Sequence, residues 1–457
     1  MKIHFIAIGG SIMHQLAIQL KNQGHEVTGS DDVIFDPALS NLKKEDICPE
    51  DFGWFPNRLT KDIDMVVLGK HAHGDNPELG EAKKKGLKLV TFPELIYEHA
   101  KDKIRIVVAG SHGKTTTTSM IIHTFLSSGI NCDYLVGAKI EGVDGSVKLS
   151  NDAKYVVIEG DEYATSADDM RPKFVHYHPN ITILTGIAWD HANIFKTEEI
   201  YLKVFEDYIK NLDKSCKVIY CKEDPQLNAL IEKLKDGDRF IPYKAHPFEN
   251  IDGKTFLKLS DRNIGTSIFG KHNMQNLCAA KKVSKIIGLD SNKFYEAAAN
   301  FKGAAKRLEL LFDKEGLHIY KDYAHSPSKV RATVKAVKEK HPNKKLVAFT
   351  ELHTYSSLNA SFLPQYKGAL DAADVAIVHY DPEAMKIKRM PELPGKVVRK
   401  AFEKEDLFIT NSSKELNFLL DNIDFEDSVL LLMSSGAYGG LDLESLPAVL
   451  TNKNKYA

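Results

Sequence analysis

Ile104-Arg105-Ile106-Val107-Val108-Ala109-Gly110-Ser111-His112-Gly113-Lys114-Thr115-Thr116-Thr117-Thr118 decides the fold. The apolar run Ile104 to Ala109 reads as a buried strand. A glycine-flanked turn follows, and a helical pattern continues through Met120, Ile121 and Phe125. Strand, Gly-rich loop, Lys-Thr and helix in this order form the arrangement of a phosphate-binding loop. Glycines let backbone N–H groups crowd around phosphate oxygens, and the helix N-terminus adds partial positive charge. Lys114 can reach the outer phosphates and the Thr115 hydroxyl can ligate Mg²⁺. Val108 stands where the fuller pattern has its first glycine, leaving Gly-x-x-Gly-Lys-Thr-Thr. A glycine turn that merely precedes a lysine is the plainer alternative. The order of strand, loop and helix argues against it. So do four consecutive threonines, which are poor helix formers and imply a role other than propensity.

Upstream, apolar runs alternate with helical patterns. Strands are expected at Ile3–Ile8, His25–Gly29, Met65–Leu68 and Leu87–Phe92, with a helix over Ile12–Lys21; this is the signature of a parallel, Rossmann-like sheet. Gly9-Gly10-Ser11 falls at the first strand–helix turn, and Ser30-Asp31-Asp32 follows the second strand, where an Asp commonly bonds a ribose. Ser11 and His14 replace the later glycines of the dinucleotide fingerprint. The turn therefore points to a nucleotide-containing ligand more than to a nicotinamide, though an oxidoreductase built on this domain is an alternative.

Downstream of the phosphate loop, strand Tyr155–Ile158 runs into Glu159-Gly160-Asp161-Glu162, and strand Ile181–Thr185 ends before Asp190-His191. In a doubly wound sheet both clusters reach the edge that carries the phosphate loop. Carboxylates and a histidine beside phosphates are candidate Mg²⁺ ligands. Gly270-Lys271-His272-Asn273 opens an Ala-rich helix; its amides, with Asn276, can cap that helix or meet an adenine edge. A boundary is expected between Phe301 and Phe312. Strands at Leu317–Tyr320, Leu346–Phe349, Val375–His379 and Val429–Met433, with helices at Ser328–Glu339 and around Leu363–Ala372, predict a third, parallel-sheet domain. Tyr380–Pro394 reads as an exposed loop.

The bulk composition agrees with a multidomain globular protein. A length of 457 residues implies two to four domains. With 61 basic and 62 acidic residues, nothing argues for nucleic acid or an anionic membrane as partner. Five scattered cysteines, none in a Cys-x-x-Cys pair, argue against a disulfide framework or a zinc site and for reduced thiols in the cytoplasm. The first apolar run is too short for a signal peptide, and no segment is long enough to span a bilayer.

Taken in order, Gly110–Thr116, Glu159-Gly160-Asp161-Glu162, Asp190-His191, Gly270–Asn273 with Asn276, Lys306-Arg307 and Asp322-Tyr323-Ala324-His325-Ser326-Pro327 resemble the landmarks of the Mur ligases, ATP-dependent amide-bond-forming enzymes of peptidoglycan synthesis. The resemblance covers essentially the whole chain. It implies a three-domain α/β architecture: a Rossmann-like UDP-sugar domain over 1–102, a central P-loop ATPase domain over 103–306 and a Rossmann-like acceptor domain over 307–457. It also implies that a carboxylate attacks the γ-phosphate of ATP and that an amine then attacks the acyl phosphate. Lys114, Glu159, His191 and Arg307 match catalytic positions; Thr115, Glu159 and His191 match Mg²⁺ ligands, with Glu162 a weaker candidate. Gly110, His112, Gly113, Lys114, Thr115 and Thr116 match the ATP phosphate loop, His272, Asn273 and Asn276 the adenine side, Asp322 a ribose contact, and Arg307 a cation over the phosphates. Gly10, Ser11, Ser30 and Asp31 would hold UDP-N-acetylmuramate, with His71 and Asn76 further candidates that could equally be ordinary loop residues. His325, His353 and Tyr355 are candidates on the acceptor side.

Two branches are nearest. One adds L-alanine to UDP-N-acetylmuramate; the other, a recycling ligase, adds the tripeptide L-alanyl-γ-D-glutamyl-meso-diaminopimelate. Met170–Tyr177, Met433–Gly440 and the chain length resemble the recycling branch, which is the expectation here. His325-Ser326-Pro327 departs from the family's frequent His-His-Pro, and Leu352 stands where the alanine-adding branch usually has Pro.

Overall fold

The computed structural model describes residues 1–69, 72–140, 142–143, 145–166, 169–192, 194–305, 307–314 and 316–453. His71 and Lys306, both singled out above, lie outside the described residues. The chain forms two compact units. The first comprises Met1–Gly186, Val204–Tyr243 and Lys282–Asp290; the second comprises Ile187–Lys203, Lys244–Lys281 and Ser291–Ala457.

The first unit holds two sheets. β1 (Lys2–Ile6), β2 (Glu26–Ser30), β3 (Met65–Leu68) and β4 (Leu89–Thr91) form a parallel sheet in the order β2-β1-β3-β4. Ile3, Phe5 and Ile6 are buried, as a strand covered on both faces requires. The second sheet contains β5 (Ile104–Ala109), β6 (Cys132–Leu135), β7 (Val147–Lys148), β8 (Tyr155–Glu159), β9 (Ile181–Leu184), β10 (Lys217–Cys221) and β11 (Phe240–Tyr243). Its order is β11-β10-β9-β5-β8-β6-β7, parallel except for β7. β5 sits between β8 and β9, the point where the chain's crossovers change direction, and ligands of open α/β sheets bind outside such a point.

The helix after β5, Lys114–Ser127, is buried from Thr115 through Ile122. That all-round burial answers why four threonines are tolerated: packing, not propensity, holds this helix. Along the seam between the two sheets, Gln15, Gln19 and Gln23 lie on one face of helix Met13–Asn22 and its cap. Gln19 accepts from Leu149 N–H at 3.3 Å, Gln23 donates to Leu149 C=O at 3.2 Å, and Gln15 Oε1 stands 2.7 Å from where a Gly145 Cβ would be.

The second unit holds a three-stranded antiparallel sheet, β12 (Phe248–Ile251), β13 (Lys254–Lys258) and β14 (Asn263–Thr266). Its larger sheet has β15 (Glu309–Lys314), β16 (Leu317–Asp322), β17 (Lys345–Leu352), β18 (Val375–Tyr380), β19 (Phe408–Thr410) and β20 (Ser428–Met433), in the order β15-β16-β20-β17-β18-β19. Only the edge strand β15 is antiparallel. Alternate residues serve opposite faces. Ala348, Leu431 and Met433 join Val330, Val334 and Val337 of helix Pro327–Lys340 in one core, while Phe349, Leu430 and Leu432 join Leu416 and Leu420 in another. Each fully buried Val, Leu, Phe or Met among them contributes about 1.5–3 kcal/mol. β16, β20 and β17 are neighbours, and Asp322, Met433 and Thr350 are in register. The turns that follow these strands therefore gather at one sheet edge.

Two expectations need correction. The helix around Leu363–Ala372 is only a 3-10 turn, Leu363–Tyr366, because the chain leaves helical geometry before Gly368, whose φ is +69°. The loop Tyr380–Pro394 contains a short helix, Pro382–Ile387, capped by Asp381 through the Glu383 N–H. Among the described residues no helix is long and apolar enough to cross a membrane.

Candidate active site

The phosphate loop is built by backbone geometry. Gly110 has φ +123°, and a Cβ there would lie 2.5 Å from Thr185 Oγ1 and 2.7 Å from the Gly186 carbonyl oxygen, so only glycine fits. Ser111 N–H donates to that same carbonyl at 2.8 Å. Gly113, at φ +70°, starts the helix at Lys114. The Lys114 ammonium donates to Gly110 C=O at 2.6 Å and pairs with Glu162 Oε2 at 2.6 Å. Burial alone would lower the pKa of Lys114; Glu162 first, then Glu159 and Asp161, outweigh it and the net shift is upward, so this lysine is a cation.

Thr115 Oγ1 donates to Glu159 Oε1 at 2.6 Å, and Glu159 Oε2 accepts from Gly137 N–H at 2.6 Å. A hydroxyl oxygen and a carboxylate oxygen converge at the helix N-terminus beside a lysine. Hard oxygen donors of this kind fit Mg²⁺. The turn carrying Glu159 and Glu162 is braced from below: Lys173, which is buried, pairs with Asp161 at 2.7 Å. Further along, Asp169 pairs with Arg171 at 2.7 Å and with His176 at 3.1 Å.

At the first sheet, Gly10 and Ser11 lie at the start of helix Met13–Asn22, and Ser11 is exposed. Asp31 is buried, and its carboxylate accepts from Gly9 N–H at 2.7 Å and from Asp32 N–H at 3.0 Å. Ser30 is buried; its carbonyl accepts from Ala7 and Ile8, and its hydroxyl lies 3.5 Å from His4 Nε2. Asn76 Oδ1 caps helix Pro77–Lys85 by accepting from Glu78 and Leu79 N–H. Asp31 and Asn76 thus both perform local structural duties.

The other candidates belong to the second unit. His191 has φ +55°, an uncommon conformation for a side-chain-bearing residue. Asp190 is buried, accepts from His191 N–H at 2.8 Å and pairs with Lys329 at 3.0 Å. His325 is half-buried, and its Nδ1 lies 2.8 Å from Tyr323 C=O. Burial and Lys329, with His191 adding, push its pKa down to about 4 against the pull of Asp190. Asp322 is buried and accepts from Leu308 N–H and Ala324 N–H, each at 2.7 Å. Its pKa is raised, mainly by burial and against the pull of Arg307. The Arg307 guanidinium stacks 4.6 Å from the Tyr323 ring. Burial lowers His272 to about 4, Asn273 Nδ2 donates to Phe269 C=O at 3.0 Å, and Asn276 Nδ2 donates to Asn273 Oδ1 at 3.3 Å. His353 is half-buried and Tyr355 exposed.

The structure therefore brings Lys114, Thr115, Glu159 and Glu162 together in the first unit, and Asp190, His191, His325, Arg307 and Asp322 onto the second. Sequence reasoning missed Lys329 and Lys173. Lys329 follows the His325-Ser326-Pro327 landmark by two residues, a signal that was available; its pairing with Asp190, distant in sequence, could not be read.

Comparison with known proteins agrees with this arrangement. The Mur ligase family catalytic-domain model matches residues 2–104, and the Mur ligase middle-domain model matches residues 108–283. A UDP-N-acetylmuramate–L-alanine ligase of Caldanaerobacter subterraneus subsp. tengcongensis is 30% identical over 96% of this chain and 95% of its own, and further relatives of that name are 28–31% identical. Among solved structures, the UDP-N-acetylmuramate–alanine ligase of Thermotoga maritima is 22% identical, covers 100% of this chain and 99% of its own, and superposes with a TM-score of 0.69. The UDP-N-acetylmuramate:L-alanyl-γ-D-glutamyl-meso-diaminopimelate ligase of Neisseria meningitides is 26% identical, covers 66% of this chain and 98% of its own, with a TM-score of 0.59. The oxidoreductase alternative falls away, since it leaves the Lys114 loop unexplained. On its phosphate loop, its sheet orders and a full-length relative at 30% identity, the chain belongs to the Mur ligase family of ATP-dependent amide ligases.

Proposed function

We propose that this ligase joins the carboxylate of UDP-N-acetylmuramate to the amine of an L-alanyl acceptor. The observation that carries the reading is the cluster Lys114, Thr115, Glu159 and Glu162 at the carboxyl edge of β5 and β8. A carboxylate and a triphosphate repel, so their reaction needs concentrated positive charge and oriented amides. Lys114 and the loop amides from Gly110 to Thr116 supply these. Thr115 and Glu159 would hold Mg²⁺, which supplies further charge neutralisation when bound. The substrate carboxylate attacks the γ-phosphorus, releasing ADP and forming an acyl phosphate. The acceptor amine then attacks the acyl carbon, loses a proton and expels phosphate.

His272, Asn273, Asn276, Asp322 and Arg307 serve ATP in this reading; Gly10, Ser11, Ser30, Asp31 and Asn76 serve the UDP-sugar; His325, His353 and Tyr355 face the acceptor. The functional division is 1–102, 103–306 and 307–457, and the enzyme works in the cytoplasm, where its nucleotide substrates are made.

Free L-alanine is the acceptor favoured by the curated relatives. The tripeptide is a second reading, favoured by the 26% identical Neisseria meningitides ligase and by the Met170–Tyr177 segment. Phosphate release from ATP and Mg²⁺ with UDP-N-acetylmuramate, comparing L-alanine with the tripeptide and reading product mass, separates the two. Turnover with neither would refute the ligase assignment for this chain.

A further inference from the structure

Glu351, two residues before His353, is buried in the second unit near the end of β17. One of its oxygens accepts from the Ser434 hydroxyl and from Tyr438 N–H at 2.9 Å; the other accepts from Gly439 N–H at 3.1 Å. Ser434 Oγ in turn accepts from Gly436 N–H at 2.7 Å. A single carboxylate thus gathers the whole turn after β20. The turn requires such an anchor: Tyr438, Gly439 and Gly440 have φ of +56°, +66° and +80°, and Tyr438 bears a Cβ that this conformation disfavours. Successive backbone N–H groups in such a turn form a concave anion site, here filled by Glu351.

The gathered turn is pressed onto an acceptor-side candidate. A Cβ on Gly436 would lie 2.7 Å from His353 Cγ and 3.0 Å from Glu351 Oε2, so the Gly436 backbone packs directly against the imidazole. Two hydroxyls at the same sheet edge, Ser435 Oγ after β20 and Ser326 Oγ after the neighbouring β16, are buried and have no hydrogen-bond partner among the described residues. A buried hydroxyl without a partner calls for an explanation, and a bound polar ligand is one.

We propose that Glu351 is a positioning residue for the amine acceptor: it holds Ser434–Gly440 against His353 so that this turn and the Ser435 and Ser326 hydroxyls receive the polar groups of an α-amino acid or peptide. The inference rests on the ligase reading above. Glu351 touches no reacting atom; it acts through the turn.

The test separates the two half-reactions. Hydroxylamine traps an acyl phosphate as a hydroxamate without the natural acceptor, so hydroxamate formation from UDP-N-acetylmuramate and ATP reports activation alone. Glu351→Gln keeps the volume but turns one acceptor oxygen into a donor facing a backbone N–H. It is expected to leave hydroxamate formation within about twofold and to raise KM for L-alanine or the tripeptide by roughly tenfold, one charge-assisted hydrogen bond's worth. Glu351→Asp, which keeps the charge, should recover part of the loss. Ser435→Ala removes no internal hydrogen bond; it should fold as the wild type does and also raise acceptor KM, which keeps the idea testable if the Glu351 variants are unstable. A parallel fall in hydroxamate and amide formation, or an unchanged acceptor KM in Ser435→Ala, overturns the proposal. Absence of hydroxamate from the wild-type protein sinks the ligase reading itself, and the acceptor role with it.

Discussion

Replacing Lys114 with Met keeps a linear side chain of similar volume and removes the charge. Glu162, which is 1% exposed and 2.6 Å from the ammonium, is then left as a buried carboxylate without its cation. Breaking one side of a buried pair costs about 3–5 kcal/mol. Glu162 can limit that loss by taking a proton. From an ordinary carboxylate value of about 4.3, protonation at pH 7 costs about 2.7 units at 1.36 kcal/mol each, or about 3.7 kcal/mol. The single variant should therefore lose about 3–4 kcal/mol at pH 7, roughly 10 °C in the melting of its unit. The sign with pH follows. In the variant the folded carboxyl is neutral and the unfolded one ionises above its ordinary value, so the deficit grows as pH rises and shrinks to about 1 kcal/mol near pH 5. Adding Glu162→Gln removes the stranded charge and should recover most of the stability while phosphate release stays abolished. Thermal denaturation at pH 5 and pH 7 with a parallel phosphate assay makes the test. A double variant no more stable than Lys114→Met alone would refute the argument that the pair, and not the lysine's packing, carries the energy.

Three further outcomes are expected. Gly110→Ala should cost about 2 kcal/mol or more from the positive φ alone, before the clash with Thr185 and Gly186, and should abolish nucleotide binding; isothermal titration with ADP at unchanged affinity would contradict this. Asp31→Ala orphans the Gly9 N–H, so UDP-sugar affinity should fall by roughly tenfold while ADP affinity is unchanged; an unaltered UDP-sugar titration removes Asp31 from the site. His272, held at about 4 by burial, lies below its unfolded value, so folding stability should fall as pH drops from about 7 towards about 4. His272→Gln should reduce the slope of that part of the urea-denaturation pH profile, to which His325 also contributes, and an unchanged slope would show that the His272 imidazole carries none of it.

What the sequence made legible was what repeats along the chain. The run Ile104–Ala109 followed by Gly-x-x-Gly-Lys-Thr encodes its own strand, turn and helix, and Glu159 is delivered by an apolar strand, so both could be read locally. Asp322, Asp31 and Asn76 were visible as polar residues at strand ends or loops. Their backbone duties were not, because a carboxylate's partner is set by how a turn closes. Lys329–Asp190 and Glu351–Ser434 join residues from different strand ends, and no periodicity reports such pairs. At Leu363–Ala372 the apolar spacing suggested a helix, and the left-handed Gly368 overrode it. At Pro382–Ile387 the Asp-Pro-Glu start was a readable cap, outweighed by the Pro- and Lys-rich composition around it.

The seam made by Gln15, Gln19 and Gln23 has a consequence for handling this protein. The bonds of Gln19 and Gln23 run between neutral amides and the Leu149 backbone, so neither added salt nor a change of pH weakens them as it would a row of ion pairs. The same hairpin that meets these glutamines also carries Gly137, which bonds Glu159. Cutting the chain near residue 102 would strip the glutamines of their partners and loosen the support behind Glu159. Fragments of the first unit are therefore best chosen so that the first 150 residues stay in one piece.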